Sequence, residues 1–230
     1  MRTILVLNSK GGCGKSTIST NLAAYYALQR YNVAMADFDP QGSSLAWLKA
    51  RPATRAPILG INATKDTLRP PRETEVLILD APAGVEGADL TAIVKRAQTI
   101  LIPVLPSATD IRAAARFVQN LLLVGKVERK QTRVATIANR VPDVSQRENM
   151  LSKIGIESLN VRLFRPLERF LQQLKIPMVA TLPDSPCYAI ADQQGLSVFE
   201  IHEERAALDR DQWRQLIEWL DSRQSMPRGG

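Results

Sequence analysis

The run Lys10-Gly11-Gly12-Cys13-Gly14-Lys15-Ser16-Thr17 restricts this chain more than any other stretch. It follows the apolar Ile4-Leu5-Val6-Leu7 and precedes a helical pattern from Ser16 to about Arg30. Strand, glycine-rich turn and helix, in that order, make a phosphate-binding loop. The glycines let backbone N–H groups turn inward, and the positive end of the following helix adds to that anion nest. Lys15 is placed to meet the β- and γ-phosphates and the Ser16 hydroxyl to ligand Mg²⁺. One position breaks the usual G-x-x-x-x-G-K-[ST] pattern: Ser9 stands where the first glycine belongs, and a second lysine, Lys10, follows it.

Further along, apolar runs end in carboxylates. Val33-Ala34-Met35-Ala36 leads into Asp37-Phe38-Asp39-Pro40-Gln41-Gly42, and Val76-Leu77-Ile78-Leu79 into Asp80-Ala81-Pro82-Ala83-Gly84. Continuous apolar runs of this length suit central strands of a parallel sheet, whose carboxyl ends face the ligand. Carboxylates at i and i+2 of a strand point to one side, so Asp37 and Asp39 are expected to face that ligand together. Strands are also expected at Ile58–Ala63, Thr99–Leu105, Val134–Ala138 and Met178–Leu182. Helices are expected at Ser43–Lys49, Ala88–Arg96, Ile111–Arg129, Gln146–Ile156, Pro166–Leu174, Tyr188–Gly195 and Glu203–Ser222. Ser107 or Asp110 can cap the helix that follows them. The alternation reads as an α/β, doubly wound, mostly parallel sheet with helices on both faces.

The loop form Lys-Gly-Gly-x-Gly-Lys-[Ser/Thr], Asp39-Pro40-Gln41, Asp80 with its Pro-Ala-Gly, and Pro106-Ser107-x-x-Asp110 together resemble the ParA/MinD family of ATPases with a deviant Walker A loop. The likeness extends from Met1 to about Glu200. It implies ATP and Mg²⁺ as cofactors, bound through Lys10, Gly11, Gly12, Cys13, Gly14, Lys15, Ser16 and Thr17. Lys10 then reaches across a nucleotide-sandwich homodimer, Lys15 neutralises phosphate charge, and Asp39 orients the attacking water. Ser16, Asp37 and Asp80 are implied around the metal. Asn139 is implied at the adenine base, although a turn-forming Asn before the proline-containing loop reads equally well. Pro183 and Asp184 are implied as the pocket lining, largely through backbone.

Size and charge narrow the rest. A chain of 230 residues suits one domain, here residues 1–222 with 223–230 as a disordered tail. The two cysteines, Cys13 and Cys187, give neither a disulfide framework nor a metal spacing. The net charge of +7 is uneven: between Ile111 and Lys175 thirteen basic residues face five acidic ones, so that half carries the basic surface. This invites non-specific DNA binding, with Arg140, Arg147, Lys153, Arg162, Arg165, Arg169 and Lys175 as candidates. The resemblance adds a ParB-like or cargo adaptor that carries a basic segment and stimulates slow hydrolysis, a cargo to be partitioned or positioned, and a cytoplasmic, nucleoid-associated protein.

Two other readings compete. A MinD-like membrane-cycling regulator would need a basic amphipathic final helix. Here Trp213, Leu216, Ile217 and Leu220 form an apolar stripe, but Asp209–Arg223 nets −1, which points to core packing. An ATP-dependent metabolic enzyme on the same scaffold would need a substrate pocket that no motif marks.

Overall fold

A computed structural model describes residues 1–65, 68–123, 132–142, 159–202 and 204–227. Seven strands form one parallel sheet: β1 (Arg2–Val6), β2 (Val33–Asp37), β3 (Ile58–Asn62), β4 (Val76–Asp80), β5 (Thr99–Val104), β6 (Arg133–Val141) and β7 (Met178–Pro183), in the order β3-β2-β4-β1-β5-β6-β7. The helices are α1 (Lys15–Leu28), α2 (Ser43–Ala50), α3 (Gly87–Val94), α4 (Ala108–Leu123), α5 (Leu159–Gln173), α6 (Pro186–Gln193) and α7 (Glu204–Asp221). This is the expected doubly wound α/β architecture.

Side-chain alternation splits the apolar runs between two cores. Ile4 and Val6 of β1, with Val76 and Ile78 of β4, join α1 and α7 on one face. Leu5 and Leu7, with Leu77 and Leu79, join α3, α4 and α5 on the other. Both faces are covered, so the central strands carry no polar alternation. The register sets Asp37 beside Asp80 at the ends of β2 and β4, and Val6 of β1 beside Asp80 from the other side.

Two expectations are corrected. The helix expected at Pro166–Leu174 begins at Leu159 and runs through Pro166. Proline removes one backbone donor, but Phe164, Leu167 and Leu171 bury one face of α5 and hold it together. The tail does not begin at 223: a 3₁₀ turn over Arg223–Ser225 closes the bottom of the sheet. Ser225 is buried, accepting from Arg2 Nη2 at 2.7 Å, while its carbonyl accepts from Thr99 Oγ1 at 2.7 Å. Hydrogen bonds from distant strands order a stretch whose composition reads as loop. The apolar stripe of α7 packs on the core, with Trp213, Leu216 and Leu220 fully buried. The helix expected at Gln146–Ile156 lies outside the described residues, as does the stretch 124–131 after α4.

A buried ion pair ties the β3 edge to the C-terminal segment. The Arg51 guanidinium donates to both oxygens of Glu200, at 3.0 and 2.7 Å, and also to the carbonyls of Ala56 and Gly195. Gly195, at φ +62°, lies so close that a Cβ there would come within 2.3 Å of the Arg51 amide nitrogen. Burial alone would raise the Glu200 carboxyl. The Arg51 bonds and charge, with the Ser197 hydroxyl and amide, overcome that and hold it below its ordinary value.

Candidate functional site

The phosphate loop joins β1 to α1 and is fixed at its front by Asn8. This buried side chain donates to the Pro103 carbonyl at 2.6 Å, and its oxygen accepts from the Lys10 amide at 3.3 Å. Asn8 has no counterpart among the sequence candidates. Its only signal is a polar residue directly after an apolar strand. Gly14 caps α1 in the left-handed region at φ +93°. A Cβ at Gly14 would sit 2.2 Å from Asn139 Nδ2, so glycine is required there on two counts. The same Nδ2 donates to the Cys13 carbonyl at 2.8 Å. Asn139, expected at a base, therefore also braces the loop. Cys13 is buried and its thiol is pushed up chiefly by that burial, which leaves it a small packed side chain.

The two lysines do different things. Lys15 is nearly buried, and its ammonium donates to the Lys10 carbonyl at 3.1 Å, so it curls back across the loop. Lys10 is partly exposed and forms an ion pair at 3.3 Å with Asp110 in the first turn of α4. Asp110 is held in turn by Ser107, whose hydroxyl donates to its carboxylate and accepts from its amide at 3.0 Å. Ser107 thus caps α4, and the Asp110 carboxylate holds the capping hydroxyl.

The carboxylates separate into three roles. Asp80 is fully buried at the tip of β4. Its Oδ1 accepts from the Ser19 hydroxyl at 3.2 Å, while Oδ2 has no partner. Burial, and then the charge of Asp37, push its carboxyl up to about 6 against the opposing influence of the nearby Ser16, Ser44 and Ser19 hydroxyls. A buried carboxylate with an orphaned oxygen beside the Ser16 hydroxyl suits Mg²⁺, which takes few protein ligands and keeps its waters. The described residues therefore fit this metal, although they hold no cluster of three or more His, Cys, Asp or Glu.

Asp37, expected around the metal and facing the ligand with Asp39, spends its carboxylate on hydrogen bonds within the chain. Its Oδ1 accepts from the Asp39 amide at 2.9 Å, and its Oδ2 takes the Ser44 hydroxyl at 2.8 Å and the amides of Ser44 and Leu45. Both oxygens serve to anchor the segment that follows β2 and the first turn of α2. Asp39 lies past the end of β2, where strand alternation no longer operates. It is half-exposed and accepts from the Gln41 amide at 2.9 Å. Gly84, after Asp80, donates its amide to the Ser9 carbonyl at 2.9 Å, which joins the segment after β4 to the loop.

A cavity of about 430 Å³ opens beside the loop. Thr17, Asn139, Pro183, Asp184 and Tyr188 line it. The expected pocket residues do come together here, at the ends of β6 and β7. The DNA candidates that are described fall in several places. Arg140, at φ +53°, pairs with Asp184 at 2.9 Å on the rim of this cavity. Lys175 lies before β7, at the opposite end of that strand from Asp184. Arg165 and Arg169 are exposed on α5. Arg147 and Lys153 lie outside the described residues, and of Arg162 only the place in α5 is described. Among the described residues no helix is long and apolar enough to cross a membrane.

Comparison with known proteins bears on this geometry. Residues 4–198 match the family described as the CobQ/CobB/MinD/ParA nucleotide binding domain. The "Maintenance of carboxysome distribution protein A" of Halothiobacillus neapolitanus is 28% identical over 207 residues, covering 86% of this chain and 87% of the relative. The McdA of Cyanothece, solved as an Asp-to-Ala variant in complex with ATP, superposes with a TM-score of 0.68 at 19% identity, over 94% of this chain and 96% of its own. The septum site-determining protein MinD of Pyrococcus horikoshii, solved with Mg-ADP, gives 0.63 at 16% identity over 96% of each chain. The phosphate loop, the buried Asp80 and the match across most of the chain have one reading: this chain belongs to the CobQ/CobB/MinD/ParA nucleotide-binding family and is a P-loop ATPase of the ParA/MinD type.

Proposed function

We propose that this chain is an ATP-driven positioning switch. It binds ATP, pairs with a second copy around the nucleotide, binds DNA non-specifically in that state, and releases when a partner protein stimulates slow hydrolysis. The observation that carries the reading is Lys10, a second lysine at the rim of the loop, partly exposed and held by an ion pair that a competing anion can replace. The relative from Halothiobacillus is named for carboxysome distribution, which favours a large protein assembly as cargo over a plasmid.

In this mechanism the loop amides and Lys15 bind the phosphates, and Asn139 holds the loop closed under the base. Ser16 and Asp80 would hold Mg²⁺, which when bound would supply charge neutralisation on the phosphates. Asp39, half-exposed past the end of β2 with its Oδ1 accepting from the Gln41 amide, orients water in line with the γ-phosphate. Lys10 exchanges Asp110 for phosphate of the facing subunit. The exposed arginines of α5 contribute to DNA contact through phosphates, with binding that falls steeply as salt rises.

The test uses two variants. Lys15→Ala should lose ATP binding in a fluorescent-nucleotide titration. Asp39→Ala should bind ATP and stay dimeric in light scattering while releasing almost no phosphate. Normal phosphate release by Asp39→Ala removes its role, and an ATP-loaded chain that stays monomeric removes the switch. A gel shift at low and high salt, with and without ATP, tests the DNA step.

A further inference from the structure

On the other side of the phosphate loop lies a second cavity, of about 560 Å³, between α3 and α4. Its floor is apolar: Leu90 and Phe117 are buried and Val85 half-buried. One wall carries Arg112 and Arg116, one helical turn apart on α4 and both exposed. Ala113 between them is too small to fill the space. Neither arginine pairs with a carboxylate among the described residues. Glu86 stands at the opposite wall.

We propose that this cavity is a docking groove for a segment of a partner protein that carries carboxylates beside one large apolar side chain. Two arginines at i and i+4 share one helix face and present forks suited to carboxylates. The floor adds apolar contact that a duplex backbone cannot use, and Glu86 opposes a polyphosphate rail. The lining residues run from Thr109 to Asn120 along α4, about 16 Å at the rise of a helix. That length suits a short peptide better than a compact metabolite. The occupant is opposite in charge to the basic stimulating segment that the family resemblance implies, so this is a separate site of recognition.

The groove also touches the switch from two sides. Ser9 lines it and precedes Lys10, and Thr109 lines it and precedes Asp110, the partner of Lys10. An occupant therefore lies against both ends of the pair that holds Lys10. This coupling rests on the positioning-switch reading, whereas the docking itself does not.

The test uses two fluorescein-labelled synthetic peptides of 14 residues on the full chain, both with a central Leu-Phe: one flanked by Asp and Glu, the other by Lys and Arg. Anisotropy is measured for the native chain, for Arg112→Glu/Arg116→Glu, and for Arg72→Glu/Arg223→Glu, which changes charge equally at remote exposed positions. The acidic peptide should bind the native chain and the remote variant and weaken by about tenfold or more in Arg112→Glu/Arg116→Glu, which should instead take up the basic peptide. Equal binding of the acidic peptide to all three chains overturns the proposal, as does its failure to bind the native chain. Displacement of the peptide by a 20-base-pair duplex, lost in Arg112→Glu/Arg116→Glu, would make the groove a nucleic-acid surface and also overturn it. A native chain that is dimeric without nucleotide and becomes monomeric in that variant would assign the groove to a second copy, against the proposal. ATP binding and ATP-dependent dimerisation are measured on the same samples. Their loss in the native chain strikes the switch, and loss of peptide binding alone strikes the groove.

Discussion

Asp80 and Glu200 are both carboxylates taken out of water, and the fold treats them in opposite ways. Glu200 meets a bidentate arginine, a serine hydroxyl and a serine amide, and its carboxyl is held below its ordinary value. Asp80 meets one serine hydroxyl on one oxygen and nothing on the other, and its carboxyl is raised to about 6. A buried charge without compensation costs stability, so a fold tolerates one mainly where a ligand completes it. The pair separates the two ends of this molecule. The strand tips near the loop are built incomplete, and the α2 edge with the C-terminal segment is built closed.

The largest expected effect breaks the closed end. Arg51→Ala leaves Glu200 buried and uncompensated and should cost about 3–5 kcal/mol in urea unfolding, with ATP affinity little changed at temperatures where the variant is folded. A loss below about 1 kcal/mol would show that the pair is no stronger than a surface contact. Next, Asp80→Asn should abolish Mg²⁺-dependent phosphate release, by more than about a hundredfold, yet leave the melting temperature equal or higher. A clear fall in melting temperature would mean that Asp80 holds the fold.

The same contrast has a pH signature. Between the ordinary aspartate value of 3.8 and about 6, folded Asp80 retains a proton that the unfolded chain has lost. Its contribution therefore lowers stability as pH rises through that window. Glu200 has the reverse sign: its stabilisation is present above the ordinary value of 4.5 and is lost as pH falls through its depressed folded value. In urea titrations at fixed pH, Asp80→Asn should remove the first slope and Arg51→Ala the second. The smallest effect concerns Lys10. Asp110→Asn should change stability by less than about 1 kcal/mol, because Lys10 is partly exposed, and should speed ATP-dependent dimerisation in stopped-flow light scattering if the pair restrains that lysine.

Legibility followed the same division. The loop, the strand tips and Asp80 could be read in the sequence because each is local: a glycine spacing, or an apolar run that ends in a carboxylate. Asp37 and Asp39 could not be told apart in the sequence, since two carboxylates at i and i+2 look equivalent until one is seen to hold the first turn of α2 and the other to lie beyond the strand. Arg51 and Glu200 carry no mark at all. They are 149 positions apart, and only the return of the chain beside α2 brings them together. The basic candidates carry no such mark either, because charge counted along a sequence says nothing about where in the fold each side chain lies.

The sequence alone determined the ATPase class, the order of strands and helices along the chain and the residues of the phosphate loop, since all of these rest on short-range spacing and alternation. Tertiary structure decided what those residues do to one another. It set Asn139 beneath Gly14, gave Lys10 to Asp110, left one oxygen of Asp80 bare and opened a groove between α3 and α4. Those outcomes depend on distances between strands and helices far apart in the chain, and no local pattern encodes such distances.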